Sequence, residues 1–158
     1  MPVQEVAICG LVEVEETAAL FKATHLLSLI EPGRRLRRPD TIERANHLVL
    51  MFKDTWNPRL LLAPAEEHIV RINEWVDSLP SGSRLLVHCF AGVGRSPGVA
   101  LGILAKSMPP ERAVEMVFEL RPIAAPNALV VKLWDQVLGF DGKLLGALEE
   151  AIGVKLED

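Results

Sequence analysis

Residues 85–97 read Leu-Leu-Val-His-Cys-Phe-Ala-Gly-Val-Gly-Arg-Ser-Pro. The apolar run at the start of this stretch predicts a buried strand that stops at His88-Cys89. A loop with two glycines follows, and residues 99–106 after it have the composition of a helix. In this order of elements the loop N–H groups can turn toward one point, and the helix N-terminus adds partial positive charge. The stretch therefore predicts a site for an anion such as phosphate.

Two side chains distinguish this loop from an ordinary phosphate-binding turn. Cys89 stands at its start, where inward N–H groups, a guanidinium and a helix N-terminus favour the thiolate, which is the nucleophilic form. Arg95 offers a planar fork of donors that grips two phosphate oxygens. A lone cysteine is more often a small buried hydrophobic residue, but the full combination favours a chemical role. The predicted phosphate-binding residues are Phe90, Ala91, Gly92, Val93, Gly94 and Arg95.

The sequence from His88 to Ser96 resembles the H-C-x5-R-[ST] signature of the cysteine-dependent protein tyrosine and dual-specificity phosphatases. The resemblance implies a small bacterial-type or atypical dual-specificity-like phosphatase that hydrolyses a phosphomonoester through a cysteinyl-phosphate intermediate, without a metal or other cofactor. In that family the histidine orients the cysteine, and the hydroxyl after the arginine donates to the departing sulfur. His88 would then be a supporting residue, and Ser96 a catalytic one.

Other functions remain compatible with the same loop. The substrate of a phosphatase could be a phosphoprotein, or a non-protein compound such as a phosphoinositide, an inositol phosphate or a nucleotide. A shorter C-x5-R pattern also occurs in rhodanese-like sulfurtransferases and arsenate-reductase-like enzymes. A catalytically silent phosphate-binding module is the third class.

Expulsion of an alkoxide or phenoxide needs an acid, and hydrolysis of the phosphoenzyme needs a base; one carboxyl group can serve as both. The family carries this acid on a loop that follows a strand, a few tens of residues before the cysteine. Asp54 fits that position, since it follows the apolar run 47–52. Asp40 is the second candidate, and Asp77 is expected in or at the end of a helix and solvated.

Two further segments are singled out by composition. Residues 34–38 contain four arginines in a segment without apolar periodicity, which predicts an exposed loop that either receives an anionic substrate or is merely solvated. Residues 121–127 resemble the R-x4-P-N element that follows the loop in dual-specificity phosphatases, and we expect this element to brace the loop.

Alternating apolar runs and helical patterns predict an α/β fold for the whole chain. We expect a central, mostly parallel sheet of about four to five strands flanked by helices, like that of dual-specificity phosphatases, in a single catalytic domain spanning 1–158. Strands are predicted near 3–9, 25–30, 47–52 and 85–87. Helices are predicted at 13–22, from 64 to about 79, and at 99–106, 110–120, 125–138 and 144–152. The site should lie at the carboxyl ends of the strands.

Composition narrows the possible partners and location. The net charge of −4 gives no electrostatic case for nucleic acid. No run approaches the length of a membrane span, and the beginning of the chain has no signal-peptide pattern, so we expect a cytoplasmic protein. Two cysteines without Cys-x-x-Cys spacing predict neither a disulfide framework nor a zinc site. A redox role for Cys9 beside Cys89 and the oligomeric state stay open.

Overall fold

The computed structural model describes residues 3–156, so the first two and last two residues of the predicted domain lie outside the described part. Within it are four strands: β1 Val3–Gly10, β2 His25–Ile30, β3 His47–Met51 and β4 Ser83–Cys89. The same residues form six α-helices: α1 Val14–Phe21, α2 Glu66–Ser78, α3 Arg95–Ala105, α4 Pro110–Leu120, α5 Ala128–Leu138 and α6 Lys143–Ile152. Along residues 3–156, no helix combines the length and the apolarity needed to cross a membrane.

The four described strands form one sheet in the order β1-β4-β2-β3, and every pairing is parallel. The predicted parallel α/β sheet flanked by helices is confirmed. Because β4 lies between β1 and β2, its carboxyl end at Cys89 has a neighbouring strand end on each side. This edge of the sheet carries the loop 89–95, as expected from the rule that sites form at the carboxyl ends of parallel strands.

Helices cover both faces of the sheet, which explains why the strands are nearly continuous apolar runs. All six residues of β2 are buried. The larger core contains apolar residues of α2, α3, α4, α5 and α6, including Ile69, Ile72 and Val76 of α2 and Leu79 directly after it. A smaller cluster under α1 contains Cys9, Val14, Ala18 and Leu86. Successive residues of a strand therefore pack into different cores.

Two helix boundaries differ from the sequence prediction in ways that affect the site. Helix α3 begins at Arg95 rather than at residue 99, because Pro97 needs no hydrogen-bonded N–H in a first helical turn. Helix α5 begins at Ala128 rather than at residue 125, since the Asn127 side chain caps it by accepting from the Val130 N–H at 3.0 Å. Arg95 and Ser96 thus lie in the first turn of α3, and Asn127 caps the start of α5.

We predict that alanine at Gly102 destabilises the protein, because α3 packs on α5 at this glycine. A Cβ atom at Gly102 would overlap the indole ring of Trp134, which is fully buried. Overpacking of this kind costs roughly 1–3 kcal/mol or more. Gly146 of α6 is the matched control, since a Cβ there meets nothing within 4 Å. Gly146→Ala should stabilise by about 0.5–1 kcal/mol. Urea unfolding of both variants measures the difference, and equal stabilities would contradict this account of the α3–α5 contact.

Candidate active site

Cys89 ends β4 with its side chain buried against the loop that follows. Its Sγ accepts a hydrogen bond from the Gly92 N–H at 3.2 Å and lies 3.2 Å from the Ser96 Oγ. Both contacts come from polar hydrogens that can face a negatively charged sulfur. The loop and the first turn of α3 therefore place a backbone N–H and a hydroxyl at the Cys89 sulfur.

The loop holds its shape because its carbonyl groups are bonded on the outside. Each carbonyl from 90 to 94 accepts a hydrogen bond from a surrounding segment. The donors are the Leu11 N–H to Phe90 O, the Arg121 side chain to Ala91 O and Gly92 O, the Ala125 N–H to Val93 O, and the Gly98 and Asn127 N–H groups to Gly94 O. With the carbonyls satisfied outward, the N–H groups are left for the interior of the loop.

Close packing explains both loop glycines. Gly92 has φ +71°, and a Cβ there would lie 2.6 Å from the Cys9 carbonyl carbon and 2.7 Å from the Gly10 nitrogen. A Cβ at Gly94 would overlap the carboxylate of Asp54. Gly92 thus lets the loop pass over the end of β1, and Gly94 lets an acidic side chain reach the loop.

Arg121 and Glu13 form the outer brace of the loop. The Arg121 Nη2 lies 2.8 Å from the Glu13 Oε1, and its Nε donates to the Gly92 carbonyl at 3.0 Å. Hydrogen bonds from Arg121 and from the Gly10 N–H hold the pKa of Glu13 below its usual range. These contacts agree with the bracing that we expected for the R-x4-P-N element.

Arg95 is almost completely buried, and two of its nitrogens have protein partners. Its Nη1 donates to the Phe52 carbonyl at 2.9 Å, and its Nη2 lies 3.0 Å from the Glu31 Oε1. Its Nε is buried and has no hydrogen-bond partner in the described chain. An unpaired buried donor is costly, by roughly 1–3 kcal/mol, and here the donor belongs to the group that we expect to bind phosphate.

Glu31 follows β2 and balances the buried charge of Arg95. Burial alone would raise the pKa of Glu31, but its own backbone N–H and the charges of Arg95 and Arg34 outweigh burial and hold the pKa below its usual range. Glu31 is therefore ionised at neutral pH. A buried guanidinium beside this carboxylate is less costly than an isolated one.

Asp54 lies beyond β3 with its carboxylate against Gly94. The Asn127 Nδ2 donates to the Asp54 Oδ1 at 2.7 Å and also reaches the Thr55 carbonyl. The other acids considered from the sequence lie elsewhere. Asp40 is exposed and lies 3.9 Å from Arg37 of its own loop, and Asp77 pairs with Lys106 at 3.0 Å.

His88 takes part in a chain of hydrogen bonds on the face of the sheet opposite to that of Cys89. Its Nδ1 lies 3.1 Å from the Cys89 carbonyl, and its Nε2 lies 2.6 Å from the Ser28 Oγ. Ser28 is in turn 2.8 Å from the His47 Nε2. Only an N–H can donate to the carbonyl, so Nδ1 carries the His88 proton, Ser28 donates to His88, and His47 donates to Ser28.

Cys9 and Cys89 do not face each other. Cys9 pairs with His88 in the sheet and packs under α1, whereas Cys89 belongs to the core on the other face. A disulfide needs the two Cβ atoms to approach each other. Cys9 is a buried residue of the smaller core, and this burial raises the pKa of its thiol to about 12.

No family model and no curated protein matches this chain. Solved structures do match. The PTP-2 phosphatase of Cydia pomonella matches with a TM-score of 0.65 and 19% identity, over 84% of this chain and 85% of that chain. Human DUSP28 matches with a TM-score of 0.62 and 20% identity, over 86% of this chain and 94% of that chain. The human tyrosine phosphatase-like serine/threonine/tyrosine-interacting protein matches with a TM-score of 0.65 and 17% identity. The match covers 86% of this chain and 92% of that chain.

The chain has the fold of the tyrosine and dual-specificity phosphatases. At these identities the likeness concerns the fold, and one of the three proteins is called only phosphatase-like. The activity therefore depends on the side chains that this chain places on the phosphatase fold. Cys89, Arg95, Ser96 and Asp54, which the sequence selects, all lie at or against the loop.

Four residues of this site are missed by the sequence analysis, one of which is Glu13, the partner of Arg121 in the brace. Glu31 contacts Arg95. Ser28 contacts His88, and His47 contacts Ser28. Glu31 follows a predicted strand at the carboxyl edge of the sheet, and that placement was a usable signal. Nothing in the local sequence marks Ser28 or His47, since both read as polar interruptions of apolar strands.

We predict that the protein loses stability as the pH falls from about 6.5 toward about 4. Burial lowers the pKa of His88 to about 4 and also lowers the pKa values of His25, His47 and His68. The unfolded chain therefore binds more protons in this window, so the free energy of unfolding rises with pH. His88 alone can contribute on the order of 3 kcal/mol.

Urea unfolding across this pH range gives the slope. His88→Gln should flatten the slope more than His68→Gln, because His68 is only half-buried. A stability that is constant or falls with rising pH would contradict the buried, neutral state of His88.

Proposed function

We propose that this protein is a cysteine-dependent phosphomonoester hydrolase of the tyrosine and dual-specificity phosphatase type. The observation that carries the proposal is the pairing of Cys89 Sγ with the Gly92 N–H and Ser96 hydroxyl, beside Arg95 with its buried, unpartnered Nε. A phosphoryl group in this loop would meet a nucleophile, inward N–H groups and a free guanidinium donor. These are the groups that phosphate transfer to a thiolate requires.

In the first step, the Cys89 thiolate attacks phosphorus and forms an S–P bond while the P–O bond to the leaving group breaks. Arg95 and the loop N–H groups stabilise the charge on the equatorial oxygens. Asp54 donates its proton to the leaving oxygen. Since the Asn127 amide donates to Oδ1, the transferable proton belongs on Oδ2, the oxygen nearest Gly94.

In the second step, water attacks the cysteinyl phosphate, and the Asp54 carboxylate accepts the proton that the water releases. The S–P bond breaks and the thiolate leaves. The Ser96 hydroxyl, 3.2 Å from Sγ, can then donate to the sulfur and stabilise its returning charge. His88 is proposed as a supporting residue, since it contacts the backbone of Cys89 and not its sulfur.

The alternatives have less support from these contacts. Arsenate reduction on a C-x5-R loop would be supported by a second thiol near Cys89 that supplies electrons, and Cys9 faces the other core. A silent phosphate-binding module has no use for a thiol in the loop and an acid placed against it. We also propose that the chain acts as one catalytic domain on a phosphorylated substrate in the cytoplasm, where two free cysteines stay reduced.

The test of this proposal is hydrolysis of p-nitrophenyl phosphate without added metal, with and without vanadate. Cys89→Ser should lower kcat by about 10³-fold or more, because serine's alcohol does not ionise in the loop. Cys9→Ala is the matched control and should keep its activity. Arg95→Lys should also lower kcat by orders of magnitude, since lysine lacks the planar fork. Full activity of Cys89→Ser, or sulfurtransferase turnover in place of phosphate release, would refute the proposal.

We predict that the cost of losing Asp54 depends on the leaving group. Asp54→Asn should lower kcat by roughly 10²–10⁴-fold on phenyl phosphate, whose leaving group needs a proton. The loss should be much smaller on p-nitrophenyl phosphate, and the falling limb of the pH–rate profile should flatten. Asp40→Asn is the matched control. If Asp40→Asn instead shows the leaving-group dependence, the acid lies on the arginine-rich loop.

A further inference from the structure

Arg34 lies at the rim of the phosphate-binding loop, held by two contacts. Its Nε lies 3.3 Å from the Glu31 Oε2, and its Cζ lies 4.1 Å from the centre of the Phe90 ring. Phe90 is the residue next to Cys89 and is 45% exposed. The guanidinium of Arg34 therefore sits beside the first residue of the loop, while 45% of its side chain faces solvent.

The charges at this rim do not cancel. The two oxygens of Glu31 contact two different guanidinium groups, Oε1 that of Arg95 and Oε2 that of Arg34. One negative charge is thus shared between two positive charges. Glu31 and the Phe52 carbonyl already contact Arg95, which is almost completely buried, whereas Arg34 is partly exposed. The remaining positive charge of Arg34 is therefore available to an anion outside the loop.

The geometry of Arg34 suits a carboxylate or a phosphate. A guanidinium stacked on a ring keeps the donors of its edge free, and its planar fork matches two oxygens of one acidic group. The stacked ring also fixes the side chain in advance, so less conformational entropy is lost when an anion binds.

We propose that Arg34 and Phe90 form a second anion subsite, which binds an acidic side chain next to the phosphorylated residue of a protein substrate. The proposal rests on the proposed phosphatase function and narrows its substrate class to acidic phosphopeptides. Arg34 belongs to the segment 31–43 between two strands, where Arg35 and Arg37 are also exposed. Such an open, basic segment suits an extended peptide that continues from the loop across the surface.

The experiment compares two phosphotyrosine peptides, one flanked by glutamates and a copy flanked by glutamines. The measured quantity is the ratio of their kcat/KM values, in which any effect on the chemical step cancels. Wild type should prefer the acidic peptide by roughly 3- to 10-fold, as expected for one partly exposed charged contact. Arg34→Gln should bring the ratio close to one, and about 1 M salt should do the same to wild type.

Arg37→Gln is the matched control, because it removes the same charge from the same segment. Arg37 lies near Glu15 and Asp40, at 3.7 and 3.9 Å, rather than near Glu31. The ratio should therefore survive in Arg37→Gln. An equal loss in both variants would mean general attraction by the segment and would overturn the subsite. A ratio near one in wild type would overturn it as well.

A binding measurement separates this inference from the proposed function. Fluorescence anisotropy of the two labelled peptides with Cys89→Ser reports the acidic preference without turnover. A preference that is lost in Arg34→Gln supports the subsite even if no substrate is hydrolysed. Hydrolysis without such a preference supports the phosphatase and refutes the subsite. Arg34→Gln could instead slow the turnover of inositol bisphosphate while neither peptide is preferred. That result would also refute the assignment of the subsite to a peptide.

Discussion

The hydrogen bonding of every carbonyl from Phe90 to Gly94 to surrounding segments is the constraint on which this site depends, because it leaves the N–H groups for the interior of the loop. Aligned peptide dipoles repel one another, and the cost falls when the opposite ends of the peptides are bonded elsewhere. The end of β1, the segment before α5 and the Arg121 side chain supply those bonds, so distant parts of the chain meet around one loop. The order of the sheet serves this arrangement, because β1 adjoins β4 directly.

A buried guanidinium is the second cost of the site, and Glu31 offsets part of it. Full pairing of Arg95 would stabilise the empty protein but would leave no donor for a ligand. In the structure, Nη1 and Nη2 have partners and Nε has none. Stability and binding are thus divided among the nitrogens of one side chain, which fits the general observation that unsatisfied groups concentrate at functional sites.

Local patterns explain why the fold and the loop could be predicted. Apolar runs, the glycine loop and the helical patterns depend on neighbouring residues, so the parallel sheet and the grouping of Cys89, Arg95 and Ser96 follow from the sequence. The start of α3 was missed because Pro97 and Gly98 suggest a loop, although proline suits a first helical turn. Glu31, Ser28 and His47 act through contacts between strands, and sequence periodicity does not identify the partner of a polar side chain. The role of Gly94 likewise depends on Asp54, a residue far away in sequence.

Strand geometry also explains why His88 and Cys89 have different environments. Successive side chains of a strand point to opposite faces, so the two residues cannot both face the phosphate-binding loop. The histidine can reach Cys89 only through the backbone, and it does so at the Cys89 carbonyl. Ser28 lies opposite His88 in the adjacent strand, where parallel register places both side chains on one face. The hydrogen-bonded chain from His88 to His47 is therefore a consequence of sheet register. This chain can influence the Cys89 sulfur only by fixing the backbone to which the sulfur is attached.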